Sequence, residues 1–159
     1  MMLAIDTCSW FKIHMLEREL NISIVSTLLK RFKLFFTHEL LTEFRRFFPN
    51  YLWIVEHCAV LPKRNIVFSS FLKEGFDEAD ASLLECASEK EYFVVSEDPK
   101  MLRYVRLGFQ LLQLADLIAV LYKKKFLSKQ VTKRIIKFLR TKRNITKKKY
   151  KDLKLMLRI

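Results

Sequence analysis

Two glycines and three prolines in 159 residues are too few turn-formers for the repeated tight reversals of a β-sandwich, and too few for a flexible linker. Helices should dominate. The three cysteines, Cys8, Cys58 and Cys86, are widely spaced with no CxxC pair, which excludes a disulfide framework and a zinc ribbon and predicts buried thiols in a reducing cytoplasm. There is no Gly-rich phosphate loop, so a P-loop or dinucleotide site is excluded. His14, His38 and His57 are neither paired at helical spacing nor joined to a cysteine pattern, which gives little basis for zinc or Cys/His chemistry. The opening MMLAIDTCSW lacks the features of a signal peptide. The longest apolar stretch, Phe109 to Tyr122, is interrupted by Asp116 and too short to cross a bilayer. A cytoplasmic protein with no membrane contact is expected.

What the chain does have is core material and positive charge. A composition of 51% hydrophobic residues with 14 Phe can fill one sizeable core, so residues 1–159 read as a single domain with a basic helical C-terminal extension at about 140–159. The net charge of +13 favours a polyanionic partner. It is unevenly spread: residues 1–100 carry 12 Lys and Arg against 15 Asp and Glu, net −3, and residues 101–159 carry 18 against 2, net +16. Within the basic half, Lys123, Lys124, Lys125, the triplet Lys147, Lys148 and Lys149 beside Tyr150, and Arg103 are the candidate contacts to an RNA backbone. A solvated face that keeps an apolar protein soluble is the other reading of the same run.

Short apolar runs at Met2 to Ile5, Lys33 to Thr37, Tyr92 to Ser96, Phe109 to Leu114 and, more weakly, Ala59 to Leu61 read as strands. Between them lie helical patterns: two up to Phe32, HELLTEFRRFF stopped by Pro49, a short one at Leu52 to His57, and FDEADASLLECASEK after Gly75. Asp98-Pro99 begins another, with Gly108 as its C-cap. Three more follow, at Ala115 to Lys125, Ser128 to Lys142 and Thr146 to Leu157. Strands alternating with helices imply crossover connections, hence an α/β fold with a mostly parallel sheet covered on both faces.

Ligands of open parallel sheets bind beyond the carboxyl ends of the strands. Asp6 and Asp98 stand at such ends, although each also reads as a helix N-cap. Glu43 lies beside the apolar stripe of its helix, with Glu39, further from that stripe, as a lesser rival. Asp80 precedes Leu83, Leu84 and Ala87 by three, four and seven residues and so shares their core-facing side. It also fits the third position of a capping arrangement begun by Asp77. Crowded carboxylates repel and raise each other's pKa unless a cation joins them. Mg²⁺ or Mn²⁺ takes oxygen ligands and can supply a water nucleophile to a phosphodiester.

The fragments MLAIDTCSW, FFTHELLTEF, DEADASLLECA and FVVSEDPKML, in this order and spacing, resemble the PIN-domain ribonuclease family over most of the chain, to about Leu139. The resemblance implies a PIN-like three-layer α/β fold with a central parallel sheet flanked by helices. It implies metal-dependent endoribonuclease activity with Mg²⁺ or Mn²⁺ held by Asp6, Glu43, Asp80 and Asp98. It also implies that Ser96, two residues before Asp98, holds a metal-bound water or a phosphate oxygen. Asp77 is an additional candidate ligand, and the choice between Asp77 and Asp80 stays open. Many members are VapC-type toxins, so a homodimer and an antitoxin protein join RNA among the implied partners. A catalytically weak RNA-binding or scaffold protein on the same fold is the alternative.

Overall fold

Five apolar runs pair side by side in one parallel sheet in the computed structural model, which describes residues 2–159. They are β1 (Met2–Ile5), β2 (Lys33–Phe36), β3 (Ala59–Val60), β4 (Tyr92–Val95) and β5 (Leu111–Leu112), in the order β3-β2-β1-β4-β5. The helices are α1 (Thr7–Leu20), α2 (Val25–Arg31), α3 (His38–Phe47), α4 (Phe68–Lys73), α5 (Glu78–Ala87), α6 (Pro99–Leu102), α7 (Leu114–Lys123), α8 (Lys129–Thr141) and α9 (Lys147–Leu157). Two 3-10 segments, Pro49–His57 and Arg103–Leu107, complete the chain.

The α/β expectation holds, and every strand pair is parallel. The reason lies in the strands: Leu3, Ala4, Ile5, Val94 and Val95 are all buried, and residues facing both ways can be apolar only where helices cover both faces. Helix α1 packs against α3 and α8, α5 against α3, α4 and β4, and α7, α8 and α9 against one another. No helix among the described residues is long and apolar enough to cross a membrane.

Several local expectations are corrected. The segment around Leu52 to His57 begins at Pro49 and is 3-10 rather than α. The strand expected over Phe109 to Leu114 shrinks to Leu111–Leu112. Gly108, at φ +89°, still turns the chain before it. After it, Gln113 already caps α7, its N–H donating to Asp116 Oδ2 at 3.2 Å. Helix α4 was not anticipated, because six residues with one fully buried side chain, Phe71, carry no readable period. The thiols are not all buried: Cys86 is, Cys58 is half-buried, and Cys8 is exposed. Helix α9 packs against α7 and α8. Leu153 and Leu157 are buried, and Lys149 Nζ donates to Gln113 Oε1 (2.6 Å) and Asp116 Oδ2 (2.8 Å).

Glu85, on the buried face of α5, looks misplaced in sequence but is fully used. Its carboxylate accepts from the backbone N–H groups of Asn65 (3.2 Å), Ile66 (2.5 Å) and Val67 (2.9 Å), pinning the chain that leads into α4. Hydrogen bonds to a charged acceptor contribute about 1.5–3 kcal/mol each. Glu85→Gln, which keeps one acceptor oxygen and loses the charge, should therefore cost about 1–3 kcal/mol, read as a fall of roughly 3–10 °C in Tm.

Candidate active site

The order of strands reverses between β1 and β4. β1 feeds β2 and then β3 on one side, while β4 and β5 lie on the other, and the two crossovers that part there leave a crevice at the carboxyl ends. Asp6 follows β1 directly and Asp98 follows β4 by three residues. The two strand ends are knitted together, the Asp6 N–H donating to the Val95 carbonyl at 3.0 Å. Asp6 is buried, and its Oδ1 accepts from the Ser9 N–H at 2.7 Å. Asp98 Oδ1 accepts from the Lys100 N–H at 2.8 Å. Both acids are thus helix caps, yet each cap uses a single oxygen and leaves the other for a ligand.

Ser96 is fully buried in the turn after β4. Its Oγ accepts from the Asp98 N–H at 3.1 Å and lies 3.4 Å from Met101 Sδ. From there it shapes the turn that presents Asp98.

Glu43 and Asp80 come in from helices. Glu43 is at mid-helix in α3, and Asp80 is in the first turn of α5, where Asp77 caps by accepting the Asp80 N–H at 2.8 Å. The two helices are tied by a buried hydroxyl pair, Thr37 Oγ1 and Ser82 Oγ at 2.7 Å. Thr37 also caps α3 through the Leu40 N–H (3.1 Å).

These carboxylates act on one another. Burial pushes Asp80 up to about 7, and the charges of Asp77, Asp6, Asp98 and Glu43, in that order, push the same way. Glu43 is raised by burial, drawn partly back by the Thr7 hydroxyl beside it, and raised again by Asp77 and Asp6. Thr7 Oγ1, although close, meets no partner at hydrogen-bonding geometry, and neither does Ser9 Oγ. Two buried hydroxyls on the first turn of α1 are thus left unsatisfied beside the acids. The Cys8 thiol is raised by burial and by Asp6, so a thiolate nucleophile is disfavoured there.

Neither a family model nor a curated protein nor a solved structure matches this chain. The site therefore rests on its own chemistry. The donor set is all oxygen, partly desolvated, mutually repelling and bordered by orphaned hydroxyls, which fits a hard divalent cation by donor type and by charge. Among the described residues, no three His, Cys, Asp or Glu side chains converge on one coordination point.

Glu43 and Asp77 open onto a cavity of about 610 Å³ that His38, Arg46, Phe47 and Lys63 also line. His38 has no partner at helical spacing in the sequence, and its one signal there is its place as first residue of the helix that carries Glu43. Arg46, three residues after Glu43 on the same helix, was equally legible, while Lys63 reaches the cavity only through the fold. Lys63 also pairs with Glu39 at 3.8 Å, which gives that acid a structural partner. His14 is elsewhere, stacked against Tyr51 with ring centroids 3.8 Å apart and pushed down to about 4 by burial, so it is a neutral packing group at pH 7.

The RNA-binding candidates separate. Lys147 and Lys148 are exposed at the start of α9, which Lys149 anchors near the carboxyl end of β5. Lys124 lies with Arg31 and Lys33 at the amino end of β2, the opposite end of the sheet, and Lys123 and Lys125 flank it there. Arg103 is exposed just after α6.

Proposed function

We propose that this chain is a metal-dependent endoribonuclease in which Asp6, Glu43, Asp80 and Asp98 hold Mg²⁺ or Mn²⁺. The observation that carries the reading is the approach of four acids from two strand ends and two helices near the switch point of a parallel sheet, with Asp80 raised to about 7 first by burial and then by the charges of Asp77, Asp6, Asp98 and Glu43. The bound ion would supply an activated water and neutralise charge developing on the phosphate. The chain's own residues do the rest. Asp6 and Asp98 are fixed by their caps, the Thr37–Ser82 pair sets Glu43 against Asp80, and Ser96 orients the Asp98 turn. Cleavage of mixed RNA with and without Mn²⁺, by wild type and by Asp6→Asn and Asp98→Asn, tests the assignment. Full activity in EDTA or in the Asp98 variant refutes it. An RNA-binding scaffold is the second reading, favoured by the fact that the acids do not converge on one coordination point. RNA bound but never cut at any Mn²⁺ concentration would establish it.

A carboxylate cluster repels phosphate, so attraction must come from elsewhere. Lys147 and Lys148 supply it from the exposed start of α9, whereas Lys149 is already neutralised by Asp116 at 2.8 Å. Replacing all three with Ala should therefore flatten the salt dependence of RNA binding by about two units of slope rather than three, and leave single-turnover cleavage at saturating RNA nearly unchanged. An unaltered slope would place the RNA elsewhere.

A homodimer belongs to the same proposal. Phe11 and Phe47 are 50% and 46% exposed and meet edge to face at 6.1 Å. The neighbouring 3-10 segment adds exposed Tyr51, Leu52 and Trp53. A patch of this kind on a small protein marks an interface. Light scattering at micromolar concentration should give twice the monomer mass for wild type and the monomer mass for Phe11→Asp.

A further inference from the structure

Helices α8 and α9 leave a groove between them that shares no residue with the carboxylate cavity. Two adjoining hollows of about 570 and 200 Å³ have Tyr150, Lys154 and Ile159 in common. The groove is apolar along its length, with Ile136, Tyr150, Leu155 and Ile159 facing it, and Leu155 is 78% exposed. Its borders are basic: Lys133, Lys137 and Arg140 on α8, and Lys147, Lys151 and Lys154 on α9. No acid lines it.

We propose that this groove is the docking site for an amphipathic, acid-flanked helix of a partner protein. The chemistry chooses among occupants. Aliphatic surface such as Leu155 and Ile159 neither stacks a base nor binds a phosphate. The one aromatic ring, Tyr150, is covered by the Lys154 ammonium at 5.5 Å, which takes the place a nucleobase would need. A second copy docked symmetrically would set these six cations against their own images. A helix with an apolar stripe between rows of Glu or Asp covers the floor and pairs the rim at once.

The test is fluorescence anisotropy with a helix-stapled peptide of about 15 residues, Leu at i, i+3, i+4 and i+7 and Glu on both flanks. Saturable binding in the micromolar range is expected, in EDTA as well as in Mn²⁺. Leu155→Gln should weaken it at least about tenfold, with Tm unchanged because the side chain is exposed. The double variant Lys133→Glu, Lys137→Glu should weaken it as much and should prefer a Lys-flanked version of the peptide. The proposal is overturned if the Glu-flanked peptide does not saturate, or if a version with Ser in place of Leu binds as well. It is overturned equally if binding of poly(U) or of phosphatidylserine vesicles shows the same dependence on Leu155, which would make the groove an RNA or lipid site. Because the binding is read in EDTA, its failure leaves the carboxylate cluster untouched, and a dead nuclease leaves the groove untouched.

Discussion

Asp80→Asn should abolish RNA cleavage and at the same time make the metal-free protein more stable at pH 8. The first effect follows from the proposed site, where the substitution would remove one oxygen ligand and one negative charge from the cation, and is expected to lower the cleavage rate by about 100-fold or more. The second follows from the carboxyl's environment. Its folded pKa of about 7 lies above the ordinary value of about 3.9, so the folded state holds the proton more tightly than the unfolded state. Stability from this group is present below pH 4 and is lost as pH rises through 7. At pH 8 the wild type folds around an uncompensated charge. The shift corresponds to about 4 kcal/mol at most, and screening by the solvent that reaches this side chain reduces it to about 1–2 kcal/mol. The neutral amide should therefore raise Tm by roughly 2–8 °C at pH 8 and leave it unchanged at pH 4. Loss of activity together with loss of stability at pH 8 would mean that Asp80 holds the fold together rather than a cation.

Mn²⁺ should reverse the same penalty in the wild type, and only where Asp80 can ionise. At a concentration of 100 times the dissociation constant, binding adds about 2.7 kcal/mol, or roughly 5–11 °C in Tm. At pH 5.5, about 1.5 units below the Asp80 value, the carboxyl must first release its proton, and the apparent affinity falls about 30-fold. The gain at the same Mn²⁺ concentration should then shrink to about 1 kcal/mol. Thermal melts at pH 5.5 and pH 8, with and without Mn²⁺, read this directly. An equal gain at both pH values would place the ion away from Asp80.

Much of this arrangement is legible in the chain before any coordinates, for reasons specific to its residues. β1 and β4 are continuous apolar runs because helices cover them on both faces, and an acid caps the helix after each, Asp6 directly after β1 and Asp98 three residues after β4. Asp80 stands out because it shares a helical face with Leu83 and Leu84, both fully buried. What stayed hidden depends on partners far away in sequence. Lys149 reads as one of three equal lysines until Asp116, 33 residues earlier, takes its charge. Nothing in the sequence around Glu85 points to the three backbone N–H groups of residues 65–67 that close on it. Lys63 joins the cavity of Glu43 and Asp77 from a connection with no period of its own.

The outer strands β3 and β5 are only two residues long. A sheet recruits a foreign strand through the free N–H and C=O groups along its margin, and a margin this brief offers almost none. Addition of a strand from another molecule, whether productive or as the start of a fibril, has no template here. For a chain with 14 Phe, that brevity limits edge-to-edge pairing and favours contacts built from side chains over a ladder extended across two molecules.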